Sequence, residues 1–416
     1  MNILDNKKKI VSFAVIYLFF CLFFANFVLG EEVGITITKT GLAKAKICAN
    51  EFVPTEKSDT NLSNKLSKTL LSDLTLVDYF QPVDSQSEAE LLLRCSYALS
   101  GSDQLVIEGK LYETKKGQMI FGKKFSGTAT QHRKLIHSLT DSIVKAAFGE
   151  NGIAQTRLTF EGKINKIKQI CVSDYDGANT VQLTKDACPS LLPTLSPDGN
   201  NILYTSYLNI VPQTFIYNLE AGTRNKISSY PGLNTSAAFS PNGNKIALTL
   251  SKDGNPEIYI INIDGSGLTR VTNDKSVDTA PCWSPDGTKI AFVSNRGGTP
   301  QVYTISTKGG ISKRITYNGN YNTNPNWSPK GNIIVYNSLI GGVFQICTVD
   351  VNTGQSEQIT QSGNSCENPS FAPDGRHIVF SMAKGYNNEL YLMDIFFRQP
   401  HKLEIKGNYT SPDWGR

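Results

Sequence analysis

The four histidines of this chain (132, 137, 377 and 401) and its eight cysteines are the residues whose types could hold a metal or supply a nucleophile. Zinc asks for Cys or His at short, regular spacing. No Cys-x-x-Cys occurs, and the closest pair, His132 and His137, stands five residues apart, which splays the rings on a helix. A serine nucleophile would sit in Gly-x-Ser-x-Gly, a phosphate cradle in Gly-x-x-x-x-Gly-Lys-Ser/Thr, and a zinc protease in His-Glu-x-x-His. None of these is present. Asp174-Tyr-Asp176-Gly177 opens like a calcium loop but lacks the later Glu that completes one, so a hairpin turn is expected there. The sequence therefore leads to no expected catalytic residue, metal or cofactor.

The elements that carry these residues repeat. Leu195-Ser-Pro-Asp-Gly, Phe239-Ser-Pro-Asn-Gly, Trp283-Ser-Pro-Asp-Gly, Trp327-Ser-Pro-Lys-Gly and Phe371-Ala-Pro-Asp-Gly recur at steps of 44 residues. Pro fixes φ near −65° at the second turn position, and Gly supplies the positive φ that closes the hairpin. Each turn leads into a strand apolar on both sides, as in Ile290-Ala-Phe-Val293, which marks burial on both faces. A third strand carries Phe215, Tyr259, Tyr303, Cys347 or Tyr391 at one register, and a fourth is anchored by Ile227, Val271, Ile315, Ile359 or Leu403. Four short strands per unit describe one blade of a β-propeller. On this reading Asp198, Asp286 and Asp374 are turn residues, and Cys171 and Cys347 are buried free thiols filling core space.

Five units account for residues 193 to about 405. Pro412-Asp413-Trp414 matches Pro281-Cys282-Trp283, and a shift of 132 residues lays Leu158 and Phe160 on Ile290 and Phe292, Cys171 on Tyr303 and Leu183 on Ile315. Residues 155–187 thus supply strands two to four of a sixth blade whose innermost strand is residues 411–414. The fold class is an all-β six-bladed β-propeller over residues 151–416, preceded by a small α/β domain. The loops that run inward to each innermost strand (188–192, 233–236, 277–280, 321–324, 365–368 and 408–410) should rim the channel. Their Leu233, Asn234, Thr235, Ser236, Asp278, Thr279, Ala280, Thr323, Asn324, Glu367, Asn368 and Thr410 are the candidate binding residues. Asn, Ser and Thr offer donors and acceptors without the cost of burying charge, while Glu367 and Asp278 are placed to meet a cation or a basic partner.

Ahead of the propeller, Lys7-Lys8-Lys9, an apolar run over residues 10–29 and Val28-Leu29-Gly30 form a signal peptide with a small-residue cleavage site. The mature chain would begin at Glu31. A run of about 20 apolar residues can also span a bilayer, so an uncleaved anchor is the rival reading; Asn26 and the Val-x-Gly site favour cleavage. Residues 31–49 read as a leader in which Val33, Ile35 and Ile37 alternate as one exposed or docking strand, and its residues 31 to about 44 hold too few apolar residues to fold alone. Residues 50–150 read as the small α/β domain, with amphipathic helices over 62–71 and 131–148 and an antiparallel meander of strands over 89–97, 104–112 and 119–125. The mature part holds seven cysteines, an odd number; Cys48 and Cys95 are the pair expected to bridge if any does. Net charge is +5 with no basic run, which argues against nucleic acid as a partner.

Val172-Ser-Asp-Tyr-Asp-Gly177 and Ser411-Pro-Asp-Trp414, with the signal peptide, small domain and six blades, make the whole mature chain resemble the TolB family, periplasmic propellers of the Tol–Pal cell-envelope system. The Trp-Ser-Pro-Asp-Gly turn alone is shared by many propellers. The resemblance implies a non-enzymatic adaptor, monomeric and peripheral to the membranes. Its propeller mouth would bind the peptidoglycan-associated lipoprotein Pal, and its leader, through Glu31, Glu32, Val33, Ile35 and Ile37, the inner-membrane protein TolA. Such an adaptor supports outer-membrane integrity and envelope invagination during division. Thr279 and Ser236 match positions where the family's lipoprotein docks. Three features depart from the pattern: the seven mature cysteines, Lys330 in place of a turn Asp, and a leader that matches in place and length more than in residues. The alternative is an exported propeller enzyme acting on sugars or peptides, which would need a His, Arg or metal cluster in the channel; the four histidines are not arranged for one.

Overall fold

A computed structural model describes residues 43–55, 60–101 and 103–415. The signal peptide and the leader positions Glu31, Glu32, Val33, Ile35 and Ile37 lie outside the described residues.

The small domain is one sheet covered by two helices. Its strands are β1 (Ala45–Ala49), β2 (Val53–Pro54), β3 (Phe80–Pro82), β4 (Leu91–Ser100), β5 (Gln104–Glu113) and β6 (Gln118–Thr128), and its helices α1 (Thr60–Leu76) and α2 (His132–Phe148). The order is β3-β1-β4-β5-β6, with β2 on β4. β4, β5 and β6 form the expected antiparallel meander, while β1 runs parallel to both neighbours. The 3.6-residue period explains the helices: Leu66, Leu70 and Leu74 of α1 and Leu135, Leu139, Ile143 and Ala147 of α2 are all buried. Gly149 ends α2 in the left-handed region, φ 72°, its N–H donating to the Lys145 carbonyl.

Two expectations in this region change. Residues 45–49 were expected in the leader, but they form β1, an inner strand between β3 and β4, because Ala45 and Ile47 alternate toward the core and are fully buried there. Cys48 and Cys95 do not bridge; both are free. Cys48 packs with Ala89 and Leu92 on one face of the sheet, whereas Cys95 lies in the main core on the other. Strand alternation sends them apart, and burial pushes the Cys95 thiol up to about 12.

The propeller has six four-stranded blades. The innermost strands of blades 1 to 5 are Ser190–Leu195, Asn234–Phe239, Asp278–Trp283, Asn322–Trp327 and Cys366–Phe371. Blade 6 joins Tyr409–Gly415 to Arg157–Ile164, Ile167–Asp174 and Val181–Gln182, with Trp414 opposite Leu158 and Thr410 opposite Glu161. The ring is closed by the two ends of the repeat region. In each Ser-Pro-Asp-Gly turn the Gly takes positive φ (73°, 73°, 68°, 111° and 65° at 199, 243, 287, 331 and 375). The Asp side chain caps the turn: hydrogen bonds from Ser284 and the Thr288 N–H hold Asp286 down to about 2. Cys171 and Cys347 are buried thiols at the third-strand register, both pushed up to about 11 by burial.

Candidate functional site

Each innermost strand enters the channel through the same irregularity. Leu192, Ser236, Ala280, Asn324, Asn368 and Ser411 all hold φ between 49° and 57°. Each sits at a break in the pairing of its strand. Left-handed backbone at a non-glycine residue costs roughly 1–3 kcal/mol and persists only where its surroundings enforce it. Proline follows in five of the six cases, fixing its own φ just past the bulge. The bulge aims one residue per blade into the channel: Thr194, Ala238, Cys282, Asn326, Ser370 and Asp413 line it at both ends. Among the described residues the lining includes one carboxylate, Asp413, and no His, Lys or Arg. Burial pushes Asp413 up to about 6, against hydrogen bonds from the Leu195 N–H at 2.8 Å and the Ser370 hydroxyl at 2.7 Å.

The bulges open onto one mouth, and the predicted binding residues divide there. Thr235, Ser236, Thr279, Ala280, Thr323, Asn324, Glu367, Asn368 and Thr410 are partly exposed, and Leu233 is exposed. Asn324 donates to Asn368, tying two blades together. Thr410 donates to Glu161 at 2.8 Å and accepts from Lys168 at 3.0 Å. Asn234 and Asp278 do not reach the mouth: both are fully buried, at the register of Ser190, Asn322 and Cys366. Asn234 accepts from Ser228 and the Tyr230 N–H. Asp278 pairs with Arg296 at 2.6 Å, and burial raises it despite Ser294 and that arginine. The first residue of an innermost strand points into the blade, so a polar residue there must find a partner inside. Burial also raises Glu367, with Lys168 opposing.

The small domain packs against blades 4, 5 and 6 on the turn side of the ring, through Lys330, Arg376 and the Tyr175–Asp176 turn. Asp73, fully buried in α1, accepts from Tyr175 at 2.7 Å, Thr140 at 3.0 Å and His137 at 2.8 Å. Arg133 pairs with Asp176. A second contact joins Asp78 to Lys44 and to His401 at 3.0 Å, and Arg376 lies 4.2 Å over the Tyr79 ring. Asp73, His137 and Asp176 have metal-like spacing. However, each already faces a protein donor, and the Arg133 guanidinium supplies the positive charge, so the cluster reads as a domain clamp. Gly177 is required in this turn: φ is 86°, and a Cβ would stand 2.5 Å from Ile405.

The family profile described as the TolB beta propeller domain matches residues 144–416. This chain belongs to the TolB β-propeller family. It is similar to the crystal structure of TolB from Acinetobacter baumannii, with a TM-score of 0.80 and 25% identity over 90% of this chain and 97% of that one. A putative TolB from Agrobacterium tumefaciens shares the fold, with a TM-score of 0.50 and 22% identity over 62% of this chain and 92% of that one. Among curated relatives, "Tol-Pal system protein TolB" of Hahella chejuensis is 30% identical over 39% of this chain and 42% of its own length. Its counterpart from Paramagnetospirillum magneticum is 29% identical over 49% and 51%. The aligned stretch spans about half the length of these relatives, or less.

Sequence reasoning missed three sets of residues. Val277 and Tyr321 share the register of Leu233 one and two repeats on, and all three are exposed, which puts an apolar arc on the rim of blades 2 to 4. The 44-residue period carried that signal. Glu161 and Lys168, which pin Thr410, come from the seam of blade 6, where the partners lie about 250 residues apart. Tyr175 and Asp176 read as plain turn residues, and only their contact with Asp73 and Arg133 gives them a role.

Proposed function

We propose that this chain is an exported, non-enzymatic adaptor of a Tol–Pal type envelope system, and that its free channel mouth docks a Pal-like peptidoglycan-associated lipoprotein. The observation that carries this reading is the ring of bulged residues at that mouth, partly exposed and opposite the small domain. An apolar arc of Leu233, Val277 and Tyr321 beside Ser, Thr and Asn donors has the mixed make-up of a protein interface rather than of a cleft for chemistry. Among the described residues the channel lining holds Thr, Ser, Asn, Cys, proline and aromatic side chains with the single carboxylate Asp413. Periplasmic placement is part of this reading and follows from the signal peptide and the Tol–Pal assignment; among the described residues no helix is long and apolar enough to cross a membrane. The leader, with Glu31, Glu32, Val33, Ile35 and Ile37, is the segment that reaches a TolA-like protein; deleting residues 31–40 is expected to abolish that contact at unchanged melting temperature. Through both contacts the adaptor supports outer-membrane integrity and invagination at division. Docking is tested by titrating the lipoprotein's soluble domain against Thr279→Arg and Ser236→Arg. Each is expected to weaken binding at least tenfold, about 1.4 kcal/mol, without loss of folding. Unchanged binding by both, with loss on substituting Pro241 or Pro285 at the other mouth, would place the partner there.

A further inference from the structure

The turn-side end of the channel is a cavity of about 480 Å³, within the range of small-molecule sites. Its wall takes one proline from each of five repeat turns, and Phe239, Phe371, Trp283, Trp327 and Trp414 from the adjoining register. The chain has three tryptophans, and all three line this cavity. Its one carboxylate is Asp413, which lies where the two halves of the channel meet and has no cationic side chain bridged to it among the described residues. Aromatic rings attract cations, and an unneutralised carboxylate set beside them in a wall that also offers the neutral side chains of Thr194, Ser196, Asn326 and Ser370 sharpens that preference. A hard metal ion fits poorly, because it asks for six or more oxygens and this carboxylate already accepts from Leu195 and Ser370.

We propose that this cavity is a binding site for a small organic ammonium ion, its charge set against Asp413 and its apolar body among the tryptophans and prolines. The site is the turn-side end of the channel; it shares with the docking mouth the ring that includes Asp413, but none of the bulged residues that face a partner there.

Because every tryptophan lines the cavity, indole fluorescence and indole N–H resonances report on it directly. The mature protein is titrated at pH 8 with benzylammonium and, separately, with uncharged benzyl alcohol. Benzylammonium is expected to give a saturable indole response, and benzyl alcohol one at least roughly tenfold weaker. Asp413→Asn should erase the difference between the two probes, while Thr279→Arg at the docking mouth leaves it intact. Since Asp413 also helps tie blades 5, 6 and 1 together, the comparison of charged with neutral probe on the unaltered protein stands as a test that needs no variant. Equal affinity for the two probes, no saturable response, or a charge preference retained in folded Asp413→Asn overturns the proposal.

Discussion

At the free mouth the innermost strands present Ser236, Ala280, Asn324, Asn368 and Ser411 on bulged backbone, partly exposed. A few residues further along, the same strands end in Phe239, Trp283, Trp327, Phe371 and Trp414, the first four leading into a proline turn, and the small domain packs against blades 4 to 6 on that side. One repeat builds both ends. The positions buried between blades keep their type through the ring, as with Ile202, Ile246, Ile290, Ile334 and Ile378, all fully buried. The channel-facing position runs Thr, Ala, Cys, Asn, Ser, Asp. The scaffold is therefore specified by what recurs, and recognition by what does not.

Removing residues 411–416 tests whether the two mouths share one scaffold, because it opens the ring at both. Burying Trp414 alone carries about 3–5 kcal/mol, and its indole N–H donates to Thr156 at 2.7 Å. The truncated protein is expected to melt at least roughly 10 °C lower; a change of one or two degrees would show that the C-terminal strand does not close the ring.

Asp73→Ala separates the mouths. It leaves His137, Thr140 and Tyr175 without their shared buried acceptor, and is expected to cost about 3–5 kcal/mol and to make the small domain sensitive to limited proteolysis. Lipoprotein binding at the free mouth should stay within roughly twofold. Binding that falls in step with the domain's release would mean that the mouths are coupled.

The same clamp has a pH signature. Burial pulls the His137 imidazolium down, but the hydrogen bond and charge of Asp73, aided by Asp176 against Arg133, leave it raised above its ordinary value. Its folded value exceeds the unfolded one, near 6.5, so its contribution is complete below that pH and is lost as pH rises through the folded value. Unfolding free energies of the parent minus those of His137→Gln should therefore shrink from pH 6 to pH 9. A difference that is flat or grows with pH would contradict the pairing.

Lys330→Asp restores the repeat's turn residue while removing an exposed ion pair to Glu150 at 2.8 Å. Exposed pairs contribute about 0–1 kcal/mol, so the melting temperature should move by no more than about 2 °C. A larger fall would mean that the turn side of blade 4 holds the small domain as firmly as Asp73 does.

The blades were legible because period and turn chemistry are local: Pro and Gly mark each turn, and the ring closure followed from laying the chain's ends on the repeat. The small domain was legible where a 3.6 period or a meander extends over many residues. β1 was not, since five residues beside a leader look like leader until Phe80 and Leu91 flank them in the fold. At the mouth, loop composition pointed to the right loops but not to side-chain direction. Asn234 and Asp278 turn inward while Thr235 and Thr279, one residue on, do not, and only the bulge decides between them. The clamp was hidden for a different reason: Asp73 and Tyr175 are 102 residues apart and neither belongs to a motif.

The central claim, that the free mouth is the docking surface, is tested most directly by amide hydrogen exchange of the mature chain with and without the soluble domain of the organism's own Pal-like lipoprotein. Exchange should slow at residues 233–236, 277–280 and 321–324 and remain unchanged at the turns 239–243 and 283–287. Protection at those turns, with none at the bulged loops, would place the partner on the small-domain side and contradict the account.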